Sequence, residues 1–473
     1  MAKKWATSGT DLHLDLTGPG GVRACLTRAL RESVRTGRLA PGTRLPSSRT
    51  LAADLGIARN TVAEAYGDLV AEGWLTARQG SGTRVATRTT PSRADTPARG
   101  ARPARTPRPA HDLMPGTADV SAFPRGAWLS AARRALAAAP NSALGYADPA
   151  GAPELRAVLA AYLARARGVR ATPERVVVCA GFMQGLSVLS RVLRARGVRE
   201  MGVESYGLWF HRNVIDRAGL RTIPLPLDER GTRTDELAAH RQARAVLLTP
   251  AHQFPLGMAL PPDRRAAVAD WASRTGGLIL EDDYDGEFRY DRQQVGALQG
   301  LDPERVVYFG TASKSLAPAL RLAWMVLPEH LVDEVLAVKA QGEYGMGVFD
   351  QLTLAEFIDS GAYDRHLRAM RLRYRRRRDQ LVSVLAEHAP HVRVTGIAAG
   401  LHAVLELPPG TERDTLKAAA WQGLALSGLS RFRHPEAPGP AALDGLIAGY
   451  GTPPDHAFAG VLDALVRALQ AAG

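Results

Sequence analysis

Residues 86–111 divide this chain into two parts that must fold separately. The segment reads ATRTTPSRADTPARGARPARTPRPAH, with six arginines, scattered prolines and no large apolar side chain. Such a segment cannot bury enough apolar surface to form a core, so an extended linker is expected. We place a small N-terminal domain at 12–86, the linker at 87–111 and a body at 112–473, with a smaller C-terminal subdomain from about 329.

The body alternates short β-rich runs with amphipathic helical stretches. The runs lie at 175–181, 245–250, 277–283, 305–311 and 322–328. This alternation predicts an α/β fold with a mostly parallel sheet, followed beyond about 329 by a second, smaller domain. Ligands of such sheets bind at the carboxyl ends of the strands. The sequence places Gly181, His252, Asp282 and Lys314 at those ends.

Charge and cysteine content limit the partners and the compartment. The chain has 60 Lys and Arg against 47 Asp and Glu, a formal net charge of +13, which favours a polyanionic partner. Its two cysteines exclude a disulfide scaffold. No apolar leader and no apolar run of about 18 residues is present, so we expect a cytoplasmic protein without membrane contact.

The segment 44–85 predicts a helical module that ends in a hairpin. Ser47 is placed to cap a first helix, and Gly56 is placed to end it. A second helix follows at once, and its first turn presents Arg59 and Asn60. Arginine suits guanine edges and asparagine suits adenine, so this helix-turn-helix pattern predicts a reader of the major groove.

This segment resembles the winged helix-turn-helix of the GntR superfamily. The family pattern G-x-R-L-P-S-S-R-x-L-A-x-x-L-G-x-x-R-x-T-V-x-x-A-Y runs nearly unbroken from Gly42 to Tyr66. The resemblance implies binding to double-stranded DNA, with a basic hairpin tip near phosphate. The predicted DNA-binding residues are Arg49, Arg59, Asn60, Thr61, Arg78, Gly80, Ser81 and Gly82.

Reactive side chains follow neighbouring strands of the body. Lys314 comes after the run 305–311, while Asp282 and Tyr284 close the run 277–283. A desolvated lysine has a lowered pKa and offers a neutral amine for a Schiff base. A carboxylate opposite a pyridine nitrogen holds that nitrogen protonated, and a phenol can hydrogen-bond a ring oxygen.

Anion-binding groups lie in the same parts of the sequence. The segment TASKSLAPALR (311–321) adds hydroxyls and a guanidinium, and a helix begins after the run 175–181 with free N–H groups. Together with the lysine, these groups describe a site for pyridoxal 5'-phosphate, and no metal centre is predicted. The predicted phosphate ligands are Gly181, Phe182, Met183, Thr311, Ser313 and Arg321.

From the motif HDLMPG to its end, the body resembles fold-type I aminotransferases. The resemblance is carried by TPAHQFPLG (249–257), EDDYDGEFRY (281–290) and GTASKSLAPALRLAW (310–324). With EGWLTARQGSGT (72–83) in the N-terminal domain, the whole chain resembles MocR-type regulators. In that subfamily of the GntR superfamily, an aminotransferase-like domain senses an effector.

The resemblance implies a role for each residue of the cofactor site. Lys314 carries the cofactor as a Schiff base, Asp282 pairs with the pyridine nitrogen, and Tyr284 bonds its O3′. Tyr146, in LGYADPAG, resembles the tyrosine that reaches the phosphate from a partner subunit. We therefore expect a homodimer with a domain-swapped arrangement, and we count His252 among the cofactor-binding residues.

The sequence departs from the family pattern at two places. Where members usually read E-D-P-G-Y, with the tyrosine stacked on the cofactor, this chain reads ESYGL (204–208). Trp209 or Tyr206 stacks instead, or no aromatic residue does. Ile447 stands where aminotransferases carry the arginine for the substrate carboxylate, and Arg431 or Arg433 is either its substitute or a surface residue.

These features predict a transcriptional regulator that depends on pyridoxal phosphate. The missing arginine argues against ordinary α-amino-acid transamination and favours pyridoxal phosphate itself as the signal, as in regulators of vitamin B6 synthesis. An amine or amino-acid effector is the other candidate signal. The alternative function is a pyridoxal-phosphate-dependent aminotransferase with a fused DNA-binding domain.

Overall fold

Three helices and a two-stranded hairpin make up the N-terminal unit. The computed structural model describes residues 14–78, 81–87, 109–146, 148–290, 295–341, 346–438 and 443–471. The chain divides into two compact units, Met1–Pro107 and Arg108–Gly473. The elements of the first unit are α1 (Gly21–Arg35), α2 (Ser48–Leu55), α3 (Arg59–Ala71), β1 (Leu75–Arg78) and β2 (Gly82–Val85).

The two ends of α2 are fixed by the residues that the sequence predicted. The Ser47 side chain accepts a hydrogen bond from the Thr50 N–H at 3.1 Å. Gly56 ends the helix with a φ of 67°, a left-handed conformation that glycine adopts at little cost. The helix-turn-helix prediction is therefore confirmed in its local geometry.

Helix α1 packs on α3 through ion pairs. Arg23 lies 2.7 Å from Asp68, and Arg31 lies 2.7 Å from Glu72. A buried core of leucines and valines, including Leu26 of α1, holds the helices together. All of these pairs are surface-exposed, so the apolar core supplies most of the stability of this unit.

The body has ten further helices and fifteen strands among its described residues. The helices are α4 (Arg125–Ala138), α5 (Pro153–Arg167), α6 (Phe182–Ala195), α7 (Trp209–Arg217), α8 (Pro262–Thr275), α9 (Val332–Ala340), α10 (Val348–Asp359), α11 (Ala362–His388), α12 (Glu412–Trp421) and α13 (Phe458–Gln470). The strands are β3 (His111–Asp112), β4 (Val176–Cys179), β5 (Glu200–Glu204), β6 (Arg221–Leu225), β7 (Leu227–Asp228), β8 (Gly231–Thr232), β9 (Ala243–Leu248), β10 (Leu278–Asp282), β11 (Val306–Thr311), β12 (Ala323–Val326), β13 (Arg393–Thr395), β14 (Ala403–Glu406), β15 (Leu424–Ala425), β16 (Ser427–Gly428) and β17 (Gly445–Ala448).

Seven strands form the central sheet, in the order β4-β12-β11-β10-β9-β5-β6. All neighbouring pairs are parallel except those of β12, which runs antiparallel to β11 and β4. The five predicted strands β4, β9, β10, β11 and β12 are confirmed. Successive residues of β10 enter apolar clusters on opposite faces of the sheet, Ile279 on one face and Leu280 on the other. This is expected for a sheet covered by helices on both sides.

The reversed direction of β12 sets the position of one loop. Because β12 runs back from the carboxyl end of β11, residues 312–322 cross that edge of the sheet as one connection. Lys314 and Arg321 therefore lie on the same short loop.

A second sheet, in the order β13-β14-β17-β16, forms the smaller part of the body. The two-residue strand β3 pairs with β15, so the first residues of the body join its last third. Helix α9 packs on α6 of the larger part, and α10 packs on α4. A subdomain boundary near 329 stays a prediction. No helix among the described residues is both long and apolar enough to cross a bilayer.

Candidate functional site

A cavity of about 410 Å³ opens at the carboxyl edge of the central sheet. Its walls come from the ends of β10 and β11, the first turn of α6, the connection before α7 and the small sheet. The structure brings eight of the predicted site residues together in its lining. These residues are Phe182, Met183, Asp282, Tyr284, Thr311, Ser313, Lys314 and Arg321.

Lys314 reaches into this cavity as a half-buried side chain. Its Nζ donates a hydrogen bond to the carbonyl oxygen of Gly116. Burial lowers the pKa of the Lys314 amine, and the carboxylates of Asp282 and Asp285 oppose that effect. The amine is therefore easier to deprotonate than that of a lysine in water, which is what a nucleophilic lysine needs.

The four residues EDDY (281–284) point alternately to the two faces of the sheet, as side chains of a strand do. Asp282 and Tyr284 face the cavity. Glu281 instead accepts the N–H groups of Leu298 and Gln299, at 2.7 and 2.9 Å. Burial raises the pKa of Asp282 well above its usual range, while the Lys314 charge lowers it. Asp282 is thus suited to share a proton with a basic ring nitrogen.

Arg321 and the start of α6 form one end of the cavity. Arg321 has a φ of 53°, and it is the one non-glycine residue with positive φ among the described residues. Its guanidinium donates to the Ala180 carbonyl at 2.5 Å. A Cβ on Gly181 would meet Arg321 Cζ at 2.8 Å, so this position must be glycine for the arginine to lie there. A strained backbone held in this way is typical of a functional site.

Hydroxyl groups and helix N–H groups complete this end. Thr311 Oγ donates to Ser313 Oγ at 3.0 Å and accepts the Ser313 N–H at 3.1 Å. Phe182 and Met183 lie in the first turn of α6, where N–H groups have no acceptor within the helix. A guanidinium, hydroxyls and a helix N-terminus are together a donor set for a phosphate group.

His252 lies behind the cavity wall rather than in it. Its Nδ1 is 2.8 Å from Asp285 Oδ2 and 3.1 Å from the Tyr284 hydroxyl. His402 packs beside it, with ring centroids 5.0 Å apart, and its Nε2 is 3.0 Å from the Pro255 carbonyl oxygen. Burial lowers the pKa of His402 to about 4, so this ring is neutral near pH 7. His252 therefore contacts Tyr284 from outside the cavity.

Of the two aromatic candidates for stacking, only one lines the cavity. Trp209 does so, whereas Tyr206 belongs to an apolar cluster, and its hydroxyl accepts the Leu443 N–H at 3.1 Å. The sequence did not point to His211, which also lines the cavity with its ring centroid 4.6 Å from that of Phe182. Burial, together with the Lys314 charge, lowers the pKa of His211 to about 3.

Ile447 is fully buried and does not line the cavity. It belongs to an apolar cluster with Phe254 of the larger part and Phe432 of the smaller part. Arg431 is exposed and lines the cavity, whereas Arg433 donates to the Ala437 carbonyl at 2.9 Å outside it. Between the two candidate substitutes, only Arg431 is placed where a ligand would meet it.

Two buried polar groups in the cavity wall were not anticipated. Glu204 accepts hydrogen bonds from the hydroxyls of Thr232 and Thr249, at 2.6 and 2.5 Å, and burial raises its pKa to about 7. The Ser427 hydroxyl is buried without a hydrogen-bond partner among the described residues. Glu204 begins the segment ESYGL, in which the sequence pointed only to the aromatic position, and Ser427 belongs to no motif.

Tyr146 and most of the predicted DNA-binding residues lie at the surface. Tyr146 is 99% exposed and does not line the cavity of its own chain. Arg49, Arg59, Asn60, Arg78, Ser81 and Gly82 are exposed, and Thr61 is half-buried. Gly80 lies outside the described residues. The predicted DNA-binding side chains of α2, α3 and the hairpin are thus open to solvent.

Two family models match separate parts of the chain. Residues 25–85 match "Bacterial regulatory proteins, gntR family", and residues 119–437 match "Aminotransferase class I and II". A solved archaeal alanine:glyoxylate aminotransferase superposes with a TM-score of 0.69 at 24% identity, over 76% of this chain and 91% of that one. That likeness shows the fold of the body, which is the fold of pyridoxal-phosphate-dependent aminotransferases.

Curated relatives match both parts at once. The chain is 32% identical over 436 residues to the HTH-type pyridoxine biosynthesis transcriptional regulator PdxR of Corynebacterium glutamicum, covering 92% of this chain and 93% of that one. It is 34% identical over 425 residues to the probable rhizopine catabolism regulatory protein MocR of Rhizobium meliloti, covering 86% of each. The chain therefore belongs to the MocR-type HTH transcriptional regulators of the GntR superfamily, which join a DNA-binding winged helix-turn-helix to an aminotransferase-like domain.

Proposed function

We propose that this regulator binds pyridoxal 5'-phosphate at Lys314 and that the bound cofactor changes its affinity for DNA. The observation that carries the proposal is the pairing of Lys314 and Asp282 in one cavity, with opposite pKa shifts. Pyridoxal phosphate supplies an aldehyde, a basic ring nitrogen and a phosphate. The cavity has one group suited to each.

Each residue of the candidate site has its own task in the proposal. The Lys314 amine, deprotonated more easily because of burial, holds the cofactor covalently. Asp282 holds the proton on the ring nitrogen, and the Tyr284 hydroxyl orients the ring. Arg321, Thr311, Ser313 and the first turn of α6 bind the phosphate. Gly181 keeps the space that Arg321 occupies.

Two observations support pyridoxal phosphate itself as the signal. The position of the carboxylate-binding arginine holds the buried Ile447, so the family's receptor for an α-carboxylate is missing. The relative PdxR is named for pyridoxine biosynthesis. We therefore propose control of vitamin B6 synthesis, with a small amine or amino acid as a second candidate effector.

We further propose that the active form is a homodimer with a domain-swapped arrangement. Tyr146 is almost fully exposed although it is aromatic and lies in a glycine-bounded turn. Contact with the phosphate site of a partner subunit would bury it. Tyr146→Ala is expected to weaken cofactor binding only in the associated form, which sedimentation with cofactor absorbance would detect.

The test of cofactor binding uses Lys314→Ala in the full-length chain. We expect the variant to lose the visible absorbance of the lysine-bound cofactor while it keeps basal DNA binding, because its DNA-binding residues are in the other unit. Lys417→Ala is the matched control, since Lys417 is exposed and, among the described residues, its one ion pair is with Asp414. An unchanged spectrum in Lys314→Ala would contradict the assignment.

The DNA measurement works with duplexes that the protein itself selects. Duplexes selected from a random library by the wild-type protein serve as ligands, and their affinity is measured with and without pyridoxal phosphate. We expect the cofactor to change the wild-type affinity and to leave that of Lys314→Ala unchanged. Conversion of amino acids to keto acids at enzymatic rates would instead favour the aminotransferase alternative.

A further inference from the structure

The body contains a second cavity, of about 570 Å³, that shares no lining residue with the first. It lies between α5, α11 and the loop after β10. Among the residues that the structure describes, six guanidinium groups line it, against two carboxylates, those of Glu287 and Asp364. The arginines are Arg165, Arg167, Arg289, Arg368, Arg371 and Arg375.

The charges in this cavity are only partly compensated. Arg167, at its base, is satisfied by Asp283 at 2.6 and 3.0 Å and by the Gly286 carbonyl at 3.2 Å. Arg165 lies 2.8 Å from Asp364. Arg371 donates through Nε to the Glu287 carbonyl at 3.0 Å, which is a neutral acceptor. The positive charge of Arg371 is therefore not neutralised by that contact.

One face of α11 carries the excess charge. Arg368, Arg371 and Arg375 follow at i, i+3 and i+7 and so lie along one side of the helix. Arg368 has no hydrogen bond or ion pair with any residue that the structure describes. Arg375 has a single distant contact, 3.9 Å from Asp379. A concave surface with this excess concentrates a positive potential, which favours anions.

The size and the donor geometry indicate the class of ligand. Small-molecule sites measure roughly 300–1,000 Å³, and this cavity lies in that range. Guanidinium groups bind phosphate oxygens in pairs through their planar N–H donors. A small molecule with a phosphate group satisfies both conditions.

One segment of the chain lines both cavities. Asp282, the last residue of β10, and Tyr284 line the first, whereas Gly286 and Glu287, on the loop that follows β10, line the second. Asp283, which follows Asp282 in the sequence, pairs with Arg167 at the base of the second cavity. A ligand among the arginines would thus act on the loop that follows Asp282.

We propose that this arginine-lined cavity is a second anion site, which takes a small phosphate-bearing ligand and is separate from the cofactor cavity. Its described lining residues all belong to one unit of the chain. Its occupant contacts Arg368, Arg371 and Arg375 of α11, and Glu287 opposes it.

The test is a calorimetric titration of the full-length protein, loaded with pyridoxal phosphate, with inorganic pyrophosphate. We expect saturable binding that weakens at least tenfold in the double variant Arg368→Gln/Arg375→Gln. Both side chains are exposed, so their loss leaves the core intact. Arg376→Gln is the matched control, because it removes an exposed charge from the same helix outside the cavity, and we expect less than a twofold change.

Two more variants locate the binding. Arg321→Gln affects the cofactor cavity only, so pyrophosphate binding that survives it belongs to the second cavity. Glu287→Gln removes the opposing carboxylate, and we expect at least threefold tighter binding, a gain that misfolding does not produce. Burial raises the pKa of Glu287 to about 7, so at pH 8 most of this charge is present for the substitution to remove.

Three results would overturn the proposal. Equal losses in Arg376→Gln and in the double variant would mean general surface attraction. Loss of binding in Arg321→Gln alone would place the anion in the cofactor cavity. Weaker DNA binding by the double variant, with no pyrophosphate binding in the wild type, would assign these arginines to the DNA backbone instead.

Discussion

At the scale of single residues, the candidate cofactor cavity contains two groups whose pKa values shift in opposite directions. Burial lowers the pKa of Lys314 and raises that of Asp282. Each shift makes the neutral form of its group more available. The buried surroundings disfavour the charged form of each group, whereas in water both groups are charged near pH 7.

We expect the pH dependence of cofactor loading to report this environment. Only the neutral Lys314 amine attacks an aldehyde, so the loading rate rises as pH rises through its pKa. Because burial lowers that pKa, the midpoint should lie below the value of about 10.4 for a free lysine side chain. Stopped-flow absorbance from pH 6.5 to 10 measures it, with N-acetyl-lysine amide as reference. A midpoint at or above that of the reference amine would show that Lys314 is not desolvated.

The sequence predicted the residues whose chemistry depends on strand ends, but it missed those brought in by packing. Lys314, Asp282 and Tyr284 follow β-rich runs directly, so their convergence was predictable. His211 and Ser427 reach the cavity only through the packing of α7 and the pairing of the second sheet. Residue type carries no signal for such positions.

At the scale of elements, the turn from β4 into α6 contains a glycine with positive φ beside the proposed phosphate site. Gly181 has a φ of 93° and Gly197, beyond the other end of α6, has a φ of 88°. A Cβ on Gly181 would meet the Arg321 guanidinium, whereas a Cβ on Gly197 would meet nothing within 4 Å. Both positions have a positive φ, and they differ in their neighbours.

Gly181→Ala should therefore weaken pyridoxal phosphate binding at least tenfold by displacing Arg321. Gly197→Ala also places a side chain at a positive φ on a turn next to α6, and it should change affinity less than twofold. Pyridoxal, which lacks the phosphate, provides the second comparison. If Gly181→Ala weakened pyridoxal as much as pyridoxal phosphate, the effect would not be on phosphate binding.

The first turn of α3 presents Arg59 and Asn60 to solvent. We expect Arg59→Ala to weaken binding to the selected duplexes by about 1–3 kcal/mol and to relax the base preference of the protein. Arg38→Ala removes an exposed charge of the same unit from outside α2, α3 and the hairpin. Fluorescence anisotropy across salt concentrations separates the two. Equal losses for both variants would mean that Arg59 contributes charge alone.

Elements were predicted from runs that show a clear period. Five of the seven strands of the central sheet, and helices α2 and α3, were predicted from such runs. Helix α1 has Leu26, Leu30 and Val34 at i, i+4 and i+8, a signal that would have identified it. The pairing of β3 with β15 could not be predicted, because two residues show no periodicity.

At the scale of the whole molecule, the winged helix-turn-helix and the candidate cofactor cavity lie in different compact units. A bound cofactor changes DNA affinity only if it favours one arrangement of the molecule over another. A tenfold change needs about 1.4 kcal/mol of such preference. In the proposed dimer, that preference acts on the spacing of two DNA-binding modules.

We therefore expect pyridoxal phosphate to change the affinity for a duplex with two half-sites and to leave a single half-site unaffected. Titrating both duplexes with and without cofactor measures the difference. The Lys314→Ala variant should respond on neither duplex. Equal shifts on both duplexes would mean that the cofactor acts within one module.

The apolar contact around the buried Ile447 and the exposed arginines of the winged helix-turn-helix should respond differently to temperature and to salt. Ile447 joins Phe254 and Phe432 in an apolar contact between the larger and smaller parts of the body, at the position where the family resemblance predicts an arginine. Contacts of this kind loosen on cooling and are insensitive to moderate salt. DNA binding through arginines follows the opposite rule and falls steeply with ionic strength. We therefore expect cooling to act mainly on the contact within the body, and salt to act mainly on DNA binding.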